Sequence, residues 1–323
     1  MNTVILIRRF LAFTLFIFGM SMFSAHAQYP NKNVKLIVPF PVGQATDIFA
    51  RVVAEELQLL WGQSVIVENR GGGNSIPGTM VAKDSPPDGY TLMMASSSIL
   101  TANPALYQNL TYSPKDFVMV NGVFIVPLLL VQNEKGNFKN LSHLVDFASK
   151  NPGKLEWSYA ATNQQLAQEL FKHRAKVDIL SVPYRGSSQS VTDLIGGQIN
   201  LSVETLPAVM SHIKSGRVIP IAAMTANRIP QLPNLPTVSE SGYPGFEGPG
   251  WGGIIAPKGT PKEIVDKVSL DIRKILAKPE VQQKIIDRGA IVDSRDATQW
   301  GEFVTKEIIK WSDIVTIAKI KGQ

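Results

Sequence analysis

The chain has 323 residues and no cysteine, and its 32 Lys and Arg against 26 Asp and Glu give a formal charge of +6. The missing thiols exclude a disulfide framework, every thiolate metal site or nucleophile, and anchoring through a lipid-modified cysteine. The positive balance is mild and its charges are interspersed rather than massed, which argues against nucleic acid as a partner and leaves a slight preference for small anions.

Arg8 and Arg9, the apolar run from Phe10 to Phe23 and the small-residue segment Ala25-His26-Ala27 follow one another as the three regions of a secretory signal. The run, about 14 residues, falls short of the roughly 20 that a helix needs to cross a bilayer, so cleavage is expected after Ala27. The two arginines leave with the signal, taking the charge from +6 to about +4, and the mature chain begins near Gln28, outside the cytoplasm.

Val34 to Phe40 reads as a strand, Pro41 to Ala45 as a turn, and Ile48, Val52, Val53, Leu57 and Leu60 as the apolar stripe of a helix that Thr46 or Asp47 is placed to cap. Strands are expected at Ser64 to Glu68 and at Tyr90 to Ala95, the second running into Ser96-Ser97-Ser98. Phe117 to Val131 is apolar but broken by Asn121, Gly122 and Pro127, and reads as buried strands rather than a membrane helix.

The alternation then restarts. Helices are expected at Leu141 to Lys150, Gln164 to His173, Ser188 to Ile195 and Pro207 to Ser215, with strands at Glu156 to Ala160, Ile179 to Pro183, Ile199 to Val203 and Val218 to Met224. A Pro/Gly-rich connector occupies Arg228 to Pro249, and the chain closes with a strand at Trp251 to Ala256 and helices near Pro261 to Leu276, Pro279 to Arg288 and Ala297 to Lys319. Strands separated by helices predict an α/β fold of two mainly parallel sheets flanked by helices. The mature length suits two typical domains or one large one. The irregular stretches near Pro127 and Gly248 bracket the second block and are the expected hinge crossings, which gives one lobe of residues 28–127 plus 249–323 and a second of residues 128–248.

Seven segments in order resemble the extracytoplasmic solute-binding receptors of tripartite tricarboxylate transporters, the Bug receptors. They are Val38-Pro39-Phe40-Pro41 with Gly43 and Ala45-Thr46-Asp47, Val65 to Arg70, Pro87 to Leu92, Asn103 to Tyr107, Val182 to Gly186, Asp193 to Gln198, and Leu235 to Val238. Clusters of Gly, Pro and Asp recur in turns of many proteins, so it is the ordered set that carries the resemblance. It implies a two-lobed periplasmic-binding-protein architecture whose cleft closes on a small carboxylate, expected to be a di- or tricarboxylate or an aromatic acid. It also implies delivery of that ligand to membrane carrier subunits, by a protein expected to be a monomer without cofactor or metal.

In open α/β sheets ligands sit beyond the carboxyl ends of strands, where helix N-termini present free amides to anions. The loop carrying Phe40, Pro41, Gly43, Gln44, Thr46 and Asp47 is the first candidate, with Asp47 either capping the helix or meeting the ligand. Ser96, Ser97, Ser98 and Thr101 offer neutral hydroxyl donors beyond a strand. In the second block Ala161, Thr162 and Asn163, then Tyr184, Arg185 and Gly186, and finally Glu204 occupy the same kind of position. Arg185 is suited to grip a carboxylate through two parallel bonds, or to steer a ligand from the rim.

Val42 and Gln44 stand where the family commonly has Pro and Gly, Glu204 where it commonly has aspartate, and the segment after Tyr159 is shorter and less Gly/Ser-rich. Gln44 and Gln165 would add amide contacts to a longer or less symmetrical ligand. Against an enzyme stand the absence of a Gly-x-Ser-x-Gly elbow and the scatter of His143, His173 and His212, while Gly71 to Gly73 lacks the Lys-Ser/Thr of a phosphate loop. A receptor that signals to a sensor kinase is the alternative to one that feeds a carrier, and closure on a ligand serves both.

Overall fold

The computed structural model describes residues 29–248, 250–317 and 319–320, so the expected signal segment and its cleavage point lie outside the described residues. Among the described residues eleven strands form two sheets. The first contains β1 (Val34–Val38), β2 (Val65–Asn69), β3 (Thr91–Ser96), β4 (Phe117–Val126), β10 (Gly250–Pro257) and β11 (Ile291–Val292), in the order β11-β4-β10-β3-β1-β2. The second contains β5 (Leu128–Asn133), β6 (Glu156–Tyr159), β7 (Leu180–Pro183), β8 (Leu201–Thr205) and β9 (Val218–Ala223), in the order β7-β6-β8-β5-β9.

The sheets are mixed rather than mainly parallel. Strands linked through helices behave as the alternation predicts, β1 pairing in parallel with β2 and β3, and β6 with β7 and β8. The strands that enter from the other sheet are antiparallel: β5 against β8 and β9, and β10 against β3 and β4. A parallel neighbour requires a crossover of a dozen or more residues. The passage from β4 to β5 is the single residue Pro127, and no helix lies between β9 and β10 among the described residues, so nothing turns these strands into register with the parallel set.

The Phe117 to Val131 run is therefore two strands belonging to different sheets. Leu128 and Leu130 of β5 pack in one core with Trp157 and Phe171, while Leu129 and Val131 pack in another with Leu194 and Val209. The period of two along a strand thus buries both faces of the second sheet. The first sheet has its own core, centred on Phe49, Phe124, Trp251 and Trp300.

The last helix, Ala297–Ile317, contributes Trp300 and Val304 to the first core and Trp311 to a core of the second sheet. Among the elements that escape prediction for want of an apolar period are the helix Ile76–Lys83, the π turn Ser98–Ala102 and the short helix Asn103–Leu106. Pro77 and Gly78 read as turn residues, but Pro is tolerated in a first turn, and Gly78 lets the helix approach so closely that a Cβ would lie 2.5 Å from the Arg70 carbonyl.

Candidate functional site

Beyond the carboxyl end of β1 the loop Pro39 to Gln44 leads into the helix Ala45–Trp61, and Asp47 holds this loop in shape. Its carboxylate accepts the Gly43 amide at 2.9 Å, the Asn69 side-chain amide at 2.9 Å and the Arg51 guanidinium at 3.0 Å. Burial pushes the Asp47 carboxyl up, but the Arg51, Gly43 and Asn69 hydrogen bonds outweigh it and hold the group below its ordinary value of 3.8. The expected helix cap is corrected: the capping position belongs to Gln44, and Asp47, one turn inside, faces back to its own loop.

Freed from local capping, the Gln44 amide reaches the other sheet and donates to the Ala160 carbonyl at 3.2 Å. Two further residue pairs bond across the same boundary. Ser98 and Asn163 are paired, and the Thr162 hydroxyl donates to the Asn103 side-chain oxygen at 2.6 Å. Gly186 packs so near Pro41 that a Cβ would lie 3.1 Å from its ring.

Within this ring of contacts lies an inner pocket of about 30 Å³. Phe40, Gln44, Thr46, Ser96, Ser97, Ser98, Ala161 and Asn163 line it, joined by Gln164, Ser187, Thr205 and Trp251. Its lining contains no charged side chain. The hydroxyls of Ser96, Ser97 and Thr205 are buried and have no hydrogen-bond partner among the described residues. Such groups cost free energy unless something accepts from them. Ala45, Asn163, Ser187 and Thr205 bring the N-terminal ends of four helices to the pocket, where free amides and the helix dipole favour negative charge.

Phe40 and Ala161 also line a second, outer chamber of about 330 Å³, with Pro41, Thr162, Tyr184, Arg185 and the loop Gly72 to Ser75. Five expected residues line neither pocket. Gly43 donates to Asp47, Asp47 is wrapped by its loop, and Gly186 serves the close approach to Pro41. Thr101 turns its hydroxyl onto the Ser97 carbonyl at 2.5 Å.

Glu204 lies fully buried behind the inner wall, accepting the Ser187 hydroxyl at 2.7 Å and the Gln164 amide at 3.4 Å. Burial pushes its carboxyl up to about 6, against the opposing hydrogen bonds from Ser187, Ser190, the Thr205 amide and Gln164.

Sequence reasoning passed over Gln164, Ser187, Thr205 and Trp251. Gln164 carries a legible signal, because a glutamine three residues into a helix folds back on the first amides. Its side-chain oxygen accepts the Ala160 amide at 2.6 Å and the Ala161 amide at 3.1 Å. Gln165, by contrast, is buried with its side-chain oxygen unpartnered among the described residues and lines neither pocket.

The sequence matches the family described as tripartite tricarboxylate transporter family receptor over residues 49–320. It is 36% identical over 299 residues to Protein BugT of Bordetella pertussis, an alignment covering 91% of this chain and 92% of that protein. Among solved structures it is similar to Rpa4515 of R. palustris with adipate, at 32% identity and a TM-score of 0.88, covering 91% of this chain and 100% of that one. It is also similar to MatC (Rpa3494) from Rhodopseudomonas palustris with bound malate, at 28% identity and a TM-score of 0.84, covering 89% of this chain and 100% of that one.

Proposed function

The chain belongs to the tripartite tricarboxylate transporter receptor family, and from that premise we propose that it captures a small organic carboxylate in the inner pocket for delivery to a membrane carrier. The observation that carries this reading is the trio of buried hydroxyls on Ser96, Ser97 and Thr205, unpartnered among the described residues and set in an uncharged pocket at helix N-termini. Neutral donors suit an anion that must be released again, since they bind it without a fixed countercharge. Adipate in Rpa4515 and malate in MatC support carboxylate as the ligand class.

The same reading takes residues 28–127 with 249–323 as one lobe and 128–248 as the other, closing on the ligand through Gln44, Ser98 and Asn163. The mature protein is a monomer released by cleavage after Ala27, and it carries rather than transforms its ligand. A thermal-shift screen of carboxylates tests the proposal: a ligand at about 100 times its Kd adds about 2.7 kcal/mol of stability. A flat response to every acid, with a response to sugars or amines instead, overturns it.

A further inference from the structure

The strands of the second sheet share one direction apart from β5. β6 is parallel to β7 and β8, and β5 is antiparallel to β8 and β9, so β6 to β9 all run with their carboxyl ends toward the pockets. Their starts, and the end of β5, gather at the opposite pole of the sheet. Backbone bonds tie these segments together: the Glu134 amide donates to the Arg217 carbonyl at 3.2 Å, and the Gly153 amide to the Asp178 carbonyl at 3.1 Å.

Cations interspersed along the sequence are massed on this pole by the fold. Lys135 follows β5, Lys150 and Lys154 approach β6, Lys176 approaches β7, and Lys214 and Arg217 approach β9. All are exposed, and none makes an ion pair among the described residues. Acids in these segments are fewer: Glu134 and Asp178 are exposed and Glu156 is half-buried. Within residues 128–248 only the cations Lys172 and Arg228 hold an acid among the described residues, whereas the first lobe pairs its cations widely, as in Arg51–Asp47, Lys267–Asp271 and Lys278–Glu56. A cation in the last turn of a helix complements the helix dipole, which accounts for Lys150 and Lys214. It does not account for Lys135, Lys154 and Arg217, which belong to no helix.

We propose that this pole docks on an anionic lipid surface, its free lysines meeting phosphate headgroups while the cleft stays on the side away from the bilayer. Lysine is depleted at protein–protein interfaces but suits the diffuse attraction of an anionic leaflet, to which each basic side chain near the surface adds. Leu180 and Ile219, exposed near the pole ends of the edge strands β7 and β9, supply small apolar contacts for the headgroup layer. The pocket loops lie at the other end of the strands, so attachment and ligand capture are independent.

Co-sedimentation of the mature protein with vesicles tests this, comparing phosphatidylcholine alone with an even mixture of phosphatidylcholine and phosphatidylglycerol. Binding is expected to the mixed vesicles only, falling about tenfold or more between about 0.05 and about 0.3 M salt. Reversing Lys135→Glu, Lys154→Glu and Arg217→Glu together cuts binding by about tenfold or more. The same reversal of three exposed, unpaired lysines of the first lobe, Lys115→Glu, Lys258→Glu and Lys306→Glu, leaves it within about twofold. Circular dichroism melts report folding, and the matching Gln variants, which only neutralise, give an intermediate loss where a reversal fails to fold. No binding, equal binding to both vesicles, or equal losses in the two triple variants overturns the lipid surface. Carrier-dependent uptake that falls in the pole variant without vesicle binding marks a protein partner and overturns it too. Carboxylate affinity, measured alongside, stays unchanged in both variants, so the receptor reading stands or falls separately.

Discussion

The Ser98 hydroxyl donates to the Asn163 side-chain oxygen at 2.9 Å and accepts the Asn163 backbone N–H at 3.2 Å. One residue follows β3 and the other follows β6, so this reciprocal pair joins the two sheets at the wall of the inner pocket. Ser98→Ala removes both bonds at once and leaves the amide unpartnered. The expected loss in ligand affinity is about 1–2 kcal/mol with only a small drop in Tm, to be read by calorimetry and thermal melts. Unchanged affinity would show the pair to be dispensable for binding.

Asp47 acts through its loop. Asp47→Asn is expected to cost about 2 kcal/mol of stability, chiefly from the bonds to Gly43 and Asn69, because Arg51 is half exposed and its share is screened. The depressed carboxyl supplies stability above its ordinary value of 3.8, and that stability is lost as pH falls through the lower folded value. Acid unfolding below about pH 4 should therefore be shallower in Asp47→Asn than in the parent, as followed by circular dichroism.

Glu204 has the opposite sign. Its carboxyl is raised from 4.5 to about 6, so the folded state holds the proton more tightly, and the associated stability is present below 4.5 and lost as pH rises through about 6. The shift corresponds to about 2 kcal/mol. Glu204→Gln should flatten the stability profile across this window and melt higher than the parent at pH 8. Because Ser187 and Gln164 lie between this carboxyl and the pocket, an anion bound there raises its pKa further, and ligand affinity should tighten a few-fold from pH 8 to pH 6 in the parent alone. A parallel pH dependence in Glu204→Gln argues against this coupling.

Gly186 offers a test of closure. Its φ of −175° is accessible to any residue, so a side chain there meets a neighbour rather than backbone strain. Gly186→Val should push against Pro41, weakening ligand binding by about tenfold, about 1.4 kcal/mol, while the ligand-free protein melts within a few degrees of the parent. A large fall in the ligand-free Tm would instead mark the contact as part of the fold itself.

Much of the fold is legible in the sequence because the helix-linked strands repeat a regular alternation of apolar period and turn residues. The helix Leu141–Lys150 starts and stops where its apolar period does, with the Asn140 side chain accepting the His143 amide at 2.9 Å as its cap. What escaped is set by tertiary contact. Nothing local to Gly250–Pro257 says that this strand lies between β3 and β4, and nothing local to Ser98–Ala102 marks a π turn. At the site, the carboxyl-end rule brought forward loops that the fold gathers around the two pockets. The division between residues that line the pockets and those that shape the loops depended on where Asp47, Thr101 and Glu204 found partners.

The position of β10 bears on timing. It sits between β3 and β4 in the first sheet, yet it comes from the last quarter of the chain. While the chain is being made, β3 and β4 lack the partner that joins them, and the most sequence-distant pairings are the slowest to close. The first sheet to appear in the sequence is thus the last to be finished. Truncation before Gly250 therefore removes the middle of that sheet rather than its edge.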